Sequence, residues 1–278
     1  MPGLAVPGPA VPVATVIIVC LYGYAPAALG HSPLQEGGQE RLAALVSALL
    51  LGAFWLLYTL GSLRVRPRWR EGLAFHLASA LCYLAVLGPL DRWAETSAAA
   101  HMTQHMLFMV VVAPLWVLAR PLPQLAAGGG KVVRLAWLPA LRLARYPMAA
   151  AWLHGAVIWF WHLPDFYLLA LHNPWWHGVE HACFVVTAGL FWWAVLRSSP
   201  VNMPWALLAV LLTLVHTGFL GAVLTFAQVP LYGEGRGLED QQLAGLIMWV
   251  LGAIPYLLAS VWIGHRWFRR LIPAREWS

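Results

Sequence analysis

Four histidines in two short stretches carry the chemistry that this chain could perform. The stretch "AAAHMTQHM" sets His101 and His105 four residues apart, and "WWHGVEHACF" repeats that spacing with His177 and His181. On a helix, residues i and i+4 share one face and stand about 6 Å apart along the axis. Two such pairs on facing helices would turn four imidazoles toward one metal ion. Met102 and Met106 form a second i, i+4 pair, rotated by about 100° from the first. Imidazoles with thioethers suit copper, and Cu(I) above all, better than magnesium or calcium. Glu180 and Asp165 are carboxylates placed to orient the imidazoles from outside.

The motif does not decide the chemistry alone. HxxxH lacks the glutamate of the HExxH zinc proteases and is a weak signal. A b-type haem needs axial ligands on opposite faces, so neighbours on one helix cannot hold it. His105 with His181, or His154 with His216, could, which leaves a membrane oxidoreductase or electron carrier open. A metal-free scaffold whose histidines meet lipid or a partner is a third reading. His172 reads as a polar tip at the headgroups, and Met109 and Met248 as core filler. Cys20, Cys82 and Cys183 lie in separate apolar segments without CxxC spacing, so they read as small buried hydrophobes.

Such residues need a frame, and the composition specifies which kind. Of the 278 residues 61% are hydrophobic and 10% charged, with a mean hydropathy of +0.69. A soluble domain carries about 25% charged residues, so lipid must cover much of this chain. The 17 tryptophans suit belts at the two membrane interfaces. Runs long enough to cross about 30 Å of hydrocarbon fall at about 42–63, 71–90, 101–119, 147–164, 176–196, 204–227 and 240–264. The expected fold is an all-α integral membrane protein, a seven-transmembrane helix bundle forming one domain over 31–278. A shorter run at 13–24 is followed by small residues at Ala28 and Gly30, so residues 1–30 read as a signal peptide or an extra N-terminal helix.

The charges orient this bundle. Arg64, Arg66, Arg68 and Arg70 follow the first span, and Arg120, Lys131, Arg134, Arg142 and Arg145 follow the third. Arg197 follows the fifth, and Arg266, Arg269, Arg270 and Arg275 follow the seventh. That puts 14 of the 17 basic residues on one face, with Arg41, Arg92 and Arg236 on the other. Nine of the 11 acidic residues fall opposite, all but Glu71 and Glu276. The positive-inside rule makes the arginine face cytoplasmic, the N-terminus outside and the C-terminus inside. The net charge of +6 then records orientation, and nucleic-acid binding is unnecessary. His101, His105, His162, His177 and His181 all fall at the outer end. The loop 120–146, with its "AAGGGK", lacks the GxxxxGK[ST] frame of a phosphate loop and reads as a flexible connector.

Three segments, "SAAAHMTQHMLFMVVVAPLWVLARPL", "WFWHLPDFYLLALHNPWWHGVEHACFVVTAGLFWW" and "LEDQQLAGLIMWVLGAIPYL", resemble the CtaG family of cytochrome c oxidase assembly factors. The similarity runs over roughly 42–264. It implies a protein of the bacterial inner membrane that helps to build a haem–copper oxidase, supplying copper to the catalytic subunit from a periplasmic site without being an enzyme. A periplasmic copper donor and membrane lipid would be its other partners. Carried over by motif, the site positions are His101, His105, His162, His177, His181, Asp240 and Gln241. His101, His105, His177 and His181 are then the expected ligands, Met102 or Met106 a soft auxiliary and His162 a transfer position. Asp240 at the head of the last span is equally explained as a carboxylate favoured by the N-terminus of its own helix.

Overall fold

The computed structural model describes residues 37–233 and 236–271, and every element of secondary structure among them is helical. The apolar run at 13–24, its candidate cleavage point and Cys20 lie outside the described residues. Ten helices follow in order: α1 Gly38–Arg64, α2 Trp69–Leu87, α3 Pro89–Thr96, α4 Ala98–Leu118, α5 Leu122–Leu143, α6 Pro147–Trp161, α7 Pro164–His172, α8 Pro174–Leu196, α9 Met203–Thr225 and α10 Leu238–Leu271. Four of them, α3, α6, α7 and α8, begin with proline at the first helical position. There the missing N–H costs no bond, and the fixed φ favours the first turn. Asn173 completes the start of α8 by accepting from the backbone N–H groups of Trp175 at 2.9 Å and Trp176 at 3.3 Å.

Among the described residues, six helices are long and apolar enough to cross a membrane: α1, α2, α4, α8, α9 with its leading turn, and α10. The remaining expected span, 147–164, is the 15-residue α6, about 22 Å long at 1.5 Å per residue. Its two ends nonetheless reach opposite ends of the bundle. At its start the carbonyl of Arg145 accepts from Asn202 Nδ2 beside the foot of α9 at 3.1 Å, and at its close the ring of His162 stands 6.2 Å from that of His105. The connections bearing Arg66, Arg68, Arg120 and Arg197 gather at one end. The α2–α4, α6–α8 and α9–α10 connections gather at the other.

The histidine-bearing helices form the interior. In α4, 61% of the membrane-length window is buried and in α8 50%, against 22% in α1, so α1 is a lipid-side helix and α4 and α8 are the core. Helix α8 packs against α4, α6, α7 and α9, while α10 closes the bundle against α9 and the start of α4. Bundle cores in lipid gain little from apolar burial, so close backbone approach does the work. At the α9–α10 crossing, a Cβ on Gly245 would lie 2.6 Å from the carbonyl oxygen of Gly221.

The 120–146 connection is not a flexible loop. It folds as α5, with Gly130 at φ 65°, ψ −148° breaking it into two helical pieces. Gly128 is a packing residue. A Cβ on Gly61 of α1 would sit 1.8 Å from Gln124 O, and one on Gly128 would sit 2.1 Å from Leu57 O. Two helix backbones touch there, and Arg64 Nη1 adds a hydrogen bond to Ala127 O at 2.6 Å. Gly61→Ala is expected to cost at least about 2 kcal/mol through overpacking, read as a lower melting temperature of the detergent-solubilised protein. Gly52→Ala is the control, because nothing lies within 4 Å of its Cβ position; equal losses in the two variants would contradict the α1–α5 contact.

Candidate metal centre

Helix α4 begins with its cap supplied twice. Ser97 Oγ accepts from Ala100 N at 3.1 Å, as a residue before a helix does. Asp240, at the start of α10, then accepts from Ser97 Oγ at 2.8 Å and from the backbone N–H groups of Ala98 and Ala99, the latter at 3.2 Å. This carboxylate therefore serves the N-terminus of α4 rather than that of its own helix. One turn later come His101 and His105. Immediately past them, Leu107–Val112 widens into a π-helical turn, and Met109 O accepts from Trp192 Nε1 of α8 at 2.7 Å. Such turns interrupt the regular ladder and are frequent at functional sites. The two histidines are thus held between a tie to α10 at the start of α4 and a tie to α8 at its π-helical turn.

Across the interface, α8 presents Glu180 and His181. One donor atom from each of His101, His105, Glu180 and His181 lies within 4.8 Å of the others. His101 Nε2 stands 3.5 Å from Glu180 Oε2, and His105 Nε2 stands 3.7 Å from Oε1. All four residues are buried: 1%, 2%, 0% and 5% exposed in chain order. Both nitrogens of His101 and His105, both oxygens of Glu180 and Nε2 of His181 lack a hydrogen-bond partner. Buried polar atoms are almost always hydrogen-bonded. Seven nitrogen and oxygen atoms from two helices thus converge with no hydrogen-bond partner outside the cluster, the donor set a metal ion requires. The residues fit a metal.

The remaining expected site residues divide clearly. His177 joins a neighbouring group with Asp91 and His181, and its ring centroid lies 4.1 Å from that of His181 and 5.1 Å from that of His101. His162 Nδ1 bonds Ile158 O at 2.7 Å, which makes Nδ1 the protonated nitrogen and leaves the unpartnered Nε2 as the lone-pair donor. Met106 turns elsewhere: its sulfur lies 2.9 Å from the Cβ position of Gly252 on α10. Met102 packs in the same apolar core as Met106. Asp165 is exposed in the first turn of α7. Gln241 is buried, and its Oε1 accepts from Leu231 N at 2.7 Å, pinning the α9–α10 connection.

Several residues around the centre carried no signal in the sequence. Gln104, fully buried between the two histidines of α4, donates to Ala85 O and to Asp91 Oδ1, each at 2.7 Å. Arg236, on the α9–α10 connection, is 6% exposed; it donates to Tyr167 Oη and to the carbonyls of Ala94 and Glu95 that end α3. Tyr167 stacks on Tyr232 at 3.8 Å and stands 5.4 Å from the His101 ring. Burial pushes the Tyr167 hydroxyl up to about 12 despite the nearby guanidinium, so it accepts from Arg236 as a neutral phenol.

A bundle of apolar membrane-length helices that encloses an imidazole–carboxylate cluster near one end is a multi-pass membrane protein. The chain belongs to the cytochrome c oxidase caa3 assembly factor family (Caa3_CtaG), whose model it matches over residues 56–270. That stretch contains α2 to α9 whole, most of α10 and every residue of the centre. Comparison with curated proteins gives no match, and comparison with solved structures gives none. Asp240→Ala is expected to cost about 1–2 kcal/mol, as the loss of a helix cap does. Thermal melting of the purified protein reads it, and a melt unchanged from wild type would contradict the capping role.

Proposed function

We propose that this oxidase assembly factor carries copper as its cargo, held by His101, His105, Glu180 and His181 and passed to the catalytic subunit of a haem–copper oxidase. The observation that supports this reading most is the convergence of four buried donors whose polar atoms have no other partner. Imidazole nitrogens accept either copper valence, and the carboxylate extends the choice from Cu(I) to Cu(II). Placing the two methionines in the apolar core makes the cargo less dependent on soft sulfur than Met102 and Met106 in the sequence imply. His162, with its unpartnered Nε2 and its ring 6.2 Å from that of His105, is the next donor along a transfer path. Ligand exchange to a partner moves the ion without an enzymatic step.

In this reading α6 is a short seventh crossing, since its ends meet opposite ends of the bundle. The arginine-bearing connections then face the cytoplasm and the centre faces the periplasm of a bacterial inner membrane. A periplasmic donor would load the protein. An ion is favoured over haem by the packing. Glu180 stands among donors that lie within 4.8 Å of one another, leaving no slot for a porphyrin between His105 and His181. At the deeper pair, the His216 ring is packed onto Gly155, with Nε2 2.9 Å from its Cβ position.

Metal analysis of protein loaded with copper under reducing conditions, beside a His105→Ala/Glu180→Gln variant, tests the reading. The expected result is about one copper per chain, lowered by at least about 100-fold in affinity in the variant, with no Soret absorption. Cells carrying the variant should assemble oxidase with reduced copper. No copper on the wild-type protein, with normal copper in oxidase made beside the variant, would leave a metal-free scaffold.

A further inference from the structure

A second set of donors lies on the wall of a cavity beside the buried centre. Asp91, His177 and His181 offer donor atoms within 4.8 Å of one another, and all three line a cavity of about 420 Å³ bounded chiefly by α1 and α8, with α3 and α7 at its sides. Its lining changes with depth. Glu40, Glu95 and His172 are exposed, Asp91 and His177 are half-buried, and His181 is 5% exposed at the inner end. Nε2 of His177 and Nε2 of His181 have no hydrogen-bond partner. Acidic groups at the rim of a cavity with low-dielectric walls raise the local concentration of cations. Asp91 is held in place by the 2.7 Å bond from Gln104, so the outer donors are braced by the helix that carries the inner ones.

We propose that Asp91, His177 and His181 form an outer cation site through which copper enters, with His181 the ligand common to the outer and inner sets. This rests on the reading of His101, His105, Glu180 and His181 as a copper centre. A transition-metal ion stripped of all ligands inside a membrane protein would face a prohibitive desolvation cost. Passing from Asp91–His177–His181 to His181–Glu180–His101–His105 keeps at least one imidazole bound throughout. No electron or proton needs to leave the protein: the bonds to Asp91 and His177 break as bonds to Glu180, His101 and His105 form, while His181 stays bound. One ion at a time occupies the pair of sites, because His181 serves both. The exposed His172, a plain interfacial polar tip by sequence, then stands at the entrance.

The test uses full-length protein in detergent and copper alone as the probe, with a chromophoric chelator as competitor. The inner set is removed in a His101→Ala/His105→Ala/Glu180→Gln variant, and Asp91→Asn is made alone and in that background. Asparagine keeps the oxygen to which Gln104 donates, and melting temperature reports that each variant folds. The inner-set variant is expected to retain one weakly held copper, which adding Asp91→Asn removes. Asp91→Asn alone should slow copper uptake by about 10-fold or more. An inner-set variant that binds nothing, together with Asp91→Asn taking up copper at the wild-type rate, would overturn the outer site and leave the inner centre standing. Wild-type affinity in the inner-set variant, abolished by Asp91→Asn, would overturn the inner centre instead. Wild-type protein without copper would overturn both.

Discussion

A carboxylate with no exposed surface, set in a helix of an apolar bundle, is the constraint on which the rest of this molecule turns. Glu180 is fully buried, and its oxygens face only the imidazoles of His101 at 3.5 Å and His105 at 3.7 Å. Burying a carboxylate ion costs several kcal/mol even after the protein relaxes. Protonated imidazoles could offset that cost, but His101, His105, His177 and His181 crowd together, and several imidazolium charges would repel one another. One metal ion meets the difficulty differently. It would supply positive charge to the carboxylate and take the lone pairs of the imidazoles at the same time. The cluster suits a coordination sphere better than a purely structural role.

The surrounding elements make sense as supports for that sphere. The register of α4 is set from outside the helix, by Asp240 at its start and by the Trp192–Met109 bond at its π-helical turn. Arg236 ties the end of α3 to α7 and to the α9–α10 connection, so the lids over the centre are held to one another. Close backbone contacts, Gly221 with Gly245 and Gly61 with Gln124, bring the helices near enough for short polar side chains to meet. In lipid, where apolar surface alone gives little drive for helices to associate, these polar and small-residue contacts specify the arrangement.

What could be seen in the sequence followed from periodicity. The two HxxxH pairs, the long apolar runs and the sidedness of the charges all depend on helical repeat and on counting, and all are local properties. Glu180 shows the limit. Its position beside His181 marks it as a neighbour of the site, but its place among the donors depends on how α8 is rotated against α4. Met106 is the converse: it directly follows His105 in sequence, yet its sulfur lies against Gly252 of α10. Asp240 caps a helix more than 140 residues away, a contact that no local pattern encodes. The α5 segment misled because Gly128, in a run that reads as flexible, is in this fold a point where two backbones meet. Family resemblance reached the right class through motifs, and the geometry of the donors came only from the packed helices.

The claim most open to direct contradiction is the identity of the ligands. X-ray absorption spectroscopy of the copper-loaded protein measures it. The account requires a first shell of nitrogen and oxygen only, with the outer scattering of two or three imidazoles and no sulfur. A sulfur shell would place the ion with the methionines, away from Glu180, and contradict the centre described for α4 and α8.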